Sequence, residues 1–113
     1  MGRGQGPLNF PVSRRIIIRS VAESDLTAIF EYYEHASPGL GGQFVSTFDA
    51  GISMLRRFPE IAPIAHLEYR RLLIRRFPYG IFYIVRPSFL SVGAIFHLRR
   101  DPAWIRRQLE QRE

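Results

Sequence analysis

The chain has 113 residues, 46% of them hydrophobic and 13% aromatic: one domain's worth of sequence, with enough apolar surface to offset chain entropy and exclude disorder. It has no cysteine, which excludes a disulfide framework and a thiolate metal site and fits a reducing compartment, so a cytoplasmic location is expected. A formal net charge of +6 and a pI of about 10.7 favour an acidic or polyanionic partner, and no run reaches the ~18 apolar residues of a membrane helix.

All 16 basic residues are arginine, a bias that a GC-rich genome produces by itself. It has a chemical consequence, because no lysine amine is available as a general acid or base. Residues 1–14 are dense in Gly and Pro, without apolar periodicity, and read as a flexible leader before one domain at 15–113. Residues 15–19 form a short β-branched run that suits a strand.

Ser20 and Glu23 match the spacing of a capping box, and Leu26, Ile29, Phe30 and Tyr33 follow as one apolar stripe of a helix ending near Ala36. Ser37-Pro38 repeats a helix-start signal. Phe44, Phe48, Ile52 and Leu55 then mark a second helix, ended by Arg56, Arg57 and Pro59, and the near-zero linker predicts an antiparallel helical hairpin. After a loop over 58–68, strands are expected at 70–77, 79–86 and 89–98, separated by Pro78-Tyr79-Gly80 and Arg86-Pro87-Ser88. Residues 81–85 are apolar at both parities and predict a central strand covered on both faces. Asp101-Pro102 opens a short amphipathic helix with Ile105 and Leu109 on one side and Arg106, Arg107 and Arg112 on another. The fold class is α+β: a twisted antiparallel sheet with a helical hairpin packed on one face, in the order β-α-α-β-β-β-α.

This order, with Ala22, Asp25-Leu26 and Ile29 in the first helix, residues 55–59 with Pro63, Arg71, Phe77-Pro78-Tyr79 with Ile81 and Tyr83, and the run HLRRDP at 97–102, resembles the RelE/ParE superfamily of toxins from type II toxin-antitoxin modules. The resemblance spans residues 15–110 and favours the ParE-like branch. It implies an open, basic concave sheet face opposite the hairpin, and a cognate acidic antitoxin whose C-terminal segment adds to the sheet or lies in its groove. It further implies one of two targets: DNA gyrase, inhibited without nuclease chemistry, for ParE-like toxins, or messenger RNA cut on the ribosome for RelE-like toxins. A toxin-like fold kept as a non-toxic partner-binding module is the third reading.

RNA cleavage needs a base for the ribose 2'-hydroxyl, charge stabilisation at phosphorus and an acid for the leaving oxygen. Strand alternation predicts that Leu90, Val92, Ala94, Phe96 and Leu98 face the helices and that His97 and Arg99 point to the open face beside Arg71 and Arg75. His97, Arg99, Arg71 and Arg75 are therefore the catalytic candidates if the chain is a nuclease. The partner-binding candidates are Arg71, Arg75, Arg99, Arg100, Trp104 and Arg106. RelE-like nucleases commonly use lysines, or a glutamate with a histidine, and a tyrosine near the C-terminus; here there is no lysine, no tyrosine follows Tyr83, and Trp104 occupies that region. Trp104 reads as an anchor of its helix to the sheet. His35 and His66 lack partners at ligand spacing, Glu31 and Glu34 are expected to face solvent, and Gly39 to Gly42 lack the lysine of a phosphate loop, so neither metal nor cofactor is expected.

Overall fold

Extended, β-branched residues open the described part of the chain in a computed structural model that describes residues 14–112. The expected leader lies outside the described residues except for Arg14, whose N–H donates to Arg56 O at 2.8 Å and whose guanidinium donates to Arg86 O and Pro87 O. Strand β1 (Arg15–Ile18) leads into α1 (Ser20–Ala36) and α2 (Leu40–Arg57). Four strands follow, β2 (Ile64–His66), β3 (Tyr69–Leu73), β4 (Tyr79–Val85) and β5 (Phe89–His97), and then α3 (Pro102–Gln111). The sheet order is β1-β5-β4-β3-β2. β1 runs parallel to β5, which the chain reaches only after the two helices and three intervening strands; the other pairs are antiparallel. The short edge strand β2 lies within the expected loop, its apolar signal masked by Pro63 and the exposed Ile64 and Ala65.

The hairpin is built by packing more than by caps. Ser20 lies inside α1 and no side chain caps its start, so the expected capping box does not form. Ser37 does not cap α2 either. The N-cap of α2 is Gly39 at φ 91°, and the carboxylate of Glu34 accepts from the N–H of Gly39 (2.9 Å) and of Gly41 (3.0 Å). Glu34 is therefore a cap borrowed from the preceding helix and not a solvated charge. Gly41 lets the two helices touch: a Cβ there would sit 2.7 Å from Phe30 O and 2.8 Å from the Phe30 ring.

The stripe of Phe44, Phe48, Ile52 and Leu55 is buried with Ala22 and Ile29 against Ile81, Tyr83, Leu90, Val92 and Ile95. On the opposite face Tyr69, Phe82, Ile84, Ala94 and Phe96 pack against Leu109, Trp104 and Ile105 of α3. Residues 81–85 are thus covered on both faces, as their two-sided apolar pattern predicts. The face opposite the hairpin is partly roofed by α3, where an open concave surface was expected.

One irregularity decides what points where. In β5, Phe82 pairs with Ala94 but Tyr83 with Val92, so Gly93 is an extra residue and the alternation inverts across it. Leu90 and Val92 face the hairpin as expected, whereas Ala94 and Phe96 face α3 and Ile95 and His97 face the hairpin side. The bulge is held by size: a Cβ on Gly93 would lie 3.0 Å from the Tyr69 ring.

Replacing Gly41 with alanine sets a gain in helix propensity of about 1 kcal/mol against an overlap with backbone that cannot yield. The overlap should win, lowering unfolding free energy by on the order of 1–2 kcal/mol in chemical denaturation; a Gly42→Ala variant, where a Cβ meets nothing within 4 Å, should be neutral or stabilised.

Candidate functional site

β1 gives out at Ile18, opposite Val92, and the N–H of Arg19 makes the last bond to β5, to Val92 O at 3.0 Å. β5 runs on to His97, and among the described residues no strand lies beside it on that side. Side chains take over the pairing. Asp25 of α1 accepts the Ile95 N–H (3.0 Å), and Arg112, just past α3, donates to Gly93 O (3.1 Å). The two residues also join each other bidentately, Arg112 Nη1 to Asp25 Oδ2 at 2.6 Å and Nη2 to Oδ1 at 3.2 Å, with their side chains 18% and 17% exposed. Arg112 further lies over the Phe96 ring, and Arg19 donates to the Arg112 carbonyl. The C-terminal end of α3 is thereby clamped to α1 and to the sheet edge at once.

Beside this clamp lies a groove of about 400 Å³ between α1, the end of β5 and α3, lined among others by Asp25, Tyr32, Tyr79, His97, Arg100 and Trp104. His97 Nδ1 accepts the Arg99 N–H at 3.0 Å, which leaves Nε2 as the nitrogen available to a ligand. Tyr79 meets the His97 ring edge-on at 5.1 Å and joins Tyr33, Phe44 and Phe77 in an aromatic cluster. Burial, and secondarily its neighbour Tyr33, pushes the Tyr79 hydroxyl up to about 12 from 10.0. Tyr83 is also raised by burial, its hydroxyl donating to Pro59 O at 2.7 Å.

The other face of the sheet holds a smaller cleft of about 160 Å³ under the first half of α3. Arg71 rises from β3, Arg100 from the loop before α3 and Arg106 from α3 itself, around a floor of Phe82, Leu98 and Ile105. At its border His66 Nε2 meets Glu110 Oε2 at 2.8 Å. Among the described residues none of the three arginines pairs with a carboxylate. Two are pre-set. The Arg71 stem fills the space that a Cβ on Gly80 would occupy, 2.9 Å from that position, and Arg100 stacks over Trp104 with its Cζ 4.2 Å from the ring centroid. Trp104 in turn packs edge-on against Phe96 at 5.0 Å, the anchoring role its position suggested.

The sequence-derived residues therefore divide. Arg71, Arg100 and Arg106 come together, with Trp104 supporting Arg100. His97 stands on the hairpin side of the sheet and Arg71 on the α3 side, so the grouping of the two on one open face does not form; the Gly93 bulge is the reason. Arg75 lies in the turn after β3, which ends at Leu73 instead of continuing to 77, and Arg99 in the turn after β5. Asp25 and Arg112 were missed as a pair, although Asp25 lies four residues before Ile29 and Arg112 three after Leu109. Each is a charge on an apolar stripe, which is the signal that would have found them.

The model of a family described as the ParE toxin of type II toxin-antitoxin systems, parDE, matches residues 16–102. The chain belongs to the ParE toxin family. A solved structure of the chromosomal ParDE toxin-antitoxin system from P. aeruginosa is similar in fold, with a TM-score of 0.69 and 18% identity over 77% of this chain and 98% of that one. No curated protein matches. This ParE-type toxin carries its clamp partner Arg112 and its Arg106 beyond the matched segment, which ends at Pro102, the first residue of α3. Among its described residues no helix is long and apolar enough to cross a membrane.

Two measurements check this geometry. Asp25→Ala leaves a half-buried guanidinium and a strand amide without their acceptor and should lower stability by on the order of 2–4 kcal/mol; Arg112→Ala should do the same, and the double variant should lose less than the sum. Because folding raises the Tyr79 pKa, its contribution is complete below pH 10 and is lost as pH climbs through about 12. Unfolding free energy should fall across that window in the parent and less steeply in Tyr79→Phe.

Proposed function

We propose that the toxin inhibits growth by binding DNA gyrase without chemistry of its own, in the cytoplasm, and that a cognate acidic antitoxin neutralises it. The observation that carries this reading is the separation of His97 from Arg71 by the thickness of the sheet. A nuclease needs its base within hydrogen-bond reach of the ribose hydroxyl while guanidiniums hold the same phosphate, so the two kinds of group must converge. Here the histidine looks into the α1 groove while Arg71 and Arg106 line the cleft behind. What the arrangement can do is bind: Arg71, Arg100, Trp104 and Arg106 ring the start of α3, with Arg75 and Arg99 on neighbouring turns, and arginine forks suit protein carboxylates. The similar P. aeruginosa structure is that of a toxin-antitoxin system, which supports an antitoxin partner here. The toxin domain is taken as residues 15–113.

The endoribonuclease reading rests on the groove, where His97 Nε2 shares the lining with Arg100 and Tyr79. Expression from a tightly repressed promoter separates the two. The gyrase reading expects growth arrest with DNA damage induced while transcripts stay intact, and early transcript cleavage would replace it with the nuclease reading. His97→Ala should leave the arrest within a few-fold, where a nuclease losing its general base drops by about 10² or more. Normal growth on expression would point to a non-toxic binding module.

A further inference from the structure

We propose that the β2 edge of the sheet is an interface between two copies of this toxin, joined about a two-fold axis so that their sheets run on as one. The inference starts from where the uncovered apolar surface lies. Of the nine large apolar side chains exposed among the described residues, five, Met54, Phe58, Ile61, Ile64 and Leu67, fall in the one stretch from the end of α2 to the turn after β2. Ile61, Ile64 and Leu67 sit before, on and after β2, and each is more than half exposed. β2 is also the last strand of the sheet, with no strand on its outer side among the described residues. Apolar side chains along an unpaired strand edge are a combination that soluble monomers avoid.

Charge selects a second copy as the occupant. A molecule of net charge +6 repels its own kind over most of its surface, so self-association needs a region where that field is cancelled. β2 carries no arginine, and the charges around it are already engaged: Arg86 on Glu68 at 2.7 Å, His66 on Glu110 at 2.8 Å, and Arg70 on the carbonyls of Glu60 and Ala62. The other sheet edge is different. β1 begins with Arg15 and is followed by Arg19, and the N–H of Arg14 is taken by Arg56 O at the end of α2. A strand edge is also self-complementary about a two-fold axis, since antiparallel pairing sets each N–H against a carbonyl of the same strand in the other copy. Pro63 has no N–H to donate and Leu67 leaves the extended region at φ 52°, so pairing is confined to residues 64–66 and the axis passes by Ala65. So short a ladder is too little alone; the apolar side chains on either side of it supply the buried area that a stable dimer needs.

The test uses the full chain alone, in sedimentation velocity over a concentration series. A monomer–dimer equilibrium with a dissociation constant on the order of 10 µM is expected. Ile64→Arg and Leu67→Arg set like charges across the axis and should each weaken it by about tenfold or more. Tyr32→Arg, at an exposed residue of α1 beside the groove at β5, should leave it unchanged. All three positions are exposed, so circular dichroism should report a native fold. Because the chain has no cysteine, Ala65→Cys supplies its one thiol, and mild oxidation should join two copies through it, whereas Tyr32→Cys should give no such product. A monomer at every concentration up to about 1 mM, a dimer that persists in both arginine variants of the edge, a dimeric Ala65→Cys chain that does not crosslink, or equal crosslinking of Tyr32→Cys would each overturn the proposal. Neither gyrase nor antitoxin enters the assay, so the interface and the target assignment can fail independently.

Discussion

Where β5 outruns β1, the sheet would have a bare edge, and the structure resolves this with one ion pair. Asp25 and Arg112 supply the acceptor and the donor that a longer β1 would have supplied, and they satisfy each other in doing so. Because Asp25 comes from α1 and Arg112 from the end of α3, closing the edge also ties together the two layers on opposite sides of the sheet. A neutral pair of side chains could close the edge too. Only a bidentate pair with a spare donor reaches both the partner and the strand, which is why a guanidinium occupies this place.

The bulge at Gly93 lies within this same stretch, and the two features reinforce each other. The extra residue turns Ala94 and Phe96 toward α3, giving that helix an apolar seat, while Ile95 and His97 turn toward the hairpin. Gly93 O and Ile95 N–H, one on each side of Ala94, are the groups that the clamp takes up. Without the inversion, Phe96 would not lie under Arg112 and Trp104, and α3 would lose the surface on which its N-terminal half rests.

Much of this was legible beforehand. The apolar stripe of α2, the two-sided pattern at 81–85 and the Asp101 cap with Pro102 are local signals whose cause lies within a few residues, and the fold follows from them. What sequence could not give depends on residues far apart in the chain. A glycine in a strand can be a bulge or a close approach, and Gly93 is both because Tyr69 of another strand covers it. Missing the bulge placed His97 beside Arg71. The helix caps failed for a related reason: Ser20 and Ser37 have the right spacing, yet Arg19 is the N-cap of α1 and the carboxylate of Glu34, a turn earlier on the neighbouring helix, reaches the free amides of α2 first.

The arginines show why net charge alone is a poor map of a binding surface. Arg14, Arg19, Arg70 and Arg112 each donate to backbone carbonyls of distant segments, and Arg86 pairs with Glu68. These guanidiniums are the fastenings of the fold, bridging β1, the loop at 58–63, α3 and the sheet where no regular pairing exists. A lysine in any of them would keep the charge and lose the fork. With these five set aside, Arg71, Arg100 and Arg106 line one cleft at the start of α3, while Arg99 lies in the turn after β5 and Arg75 and Arg76 in the turn after β3. The guanidiniums at the start of α3 thus stand on a helix whose opposite end is held by Asp25 and Arg112. The element that presents these guanidiniums is itself fixed in place by a guanidinium at its other end.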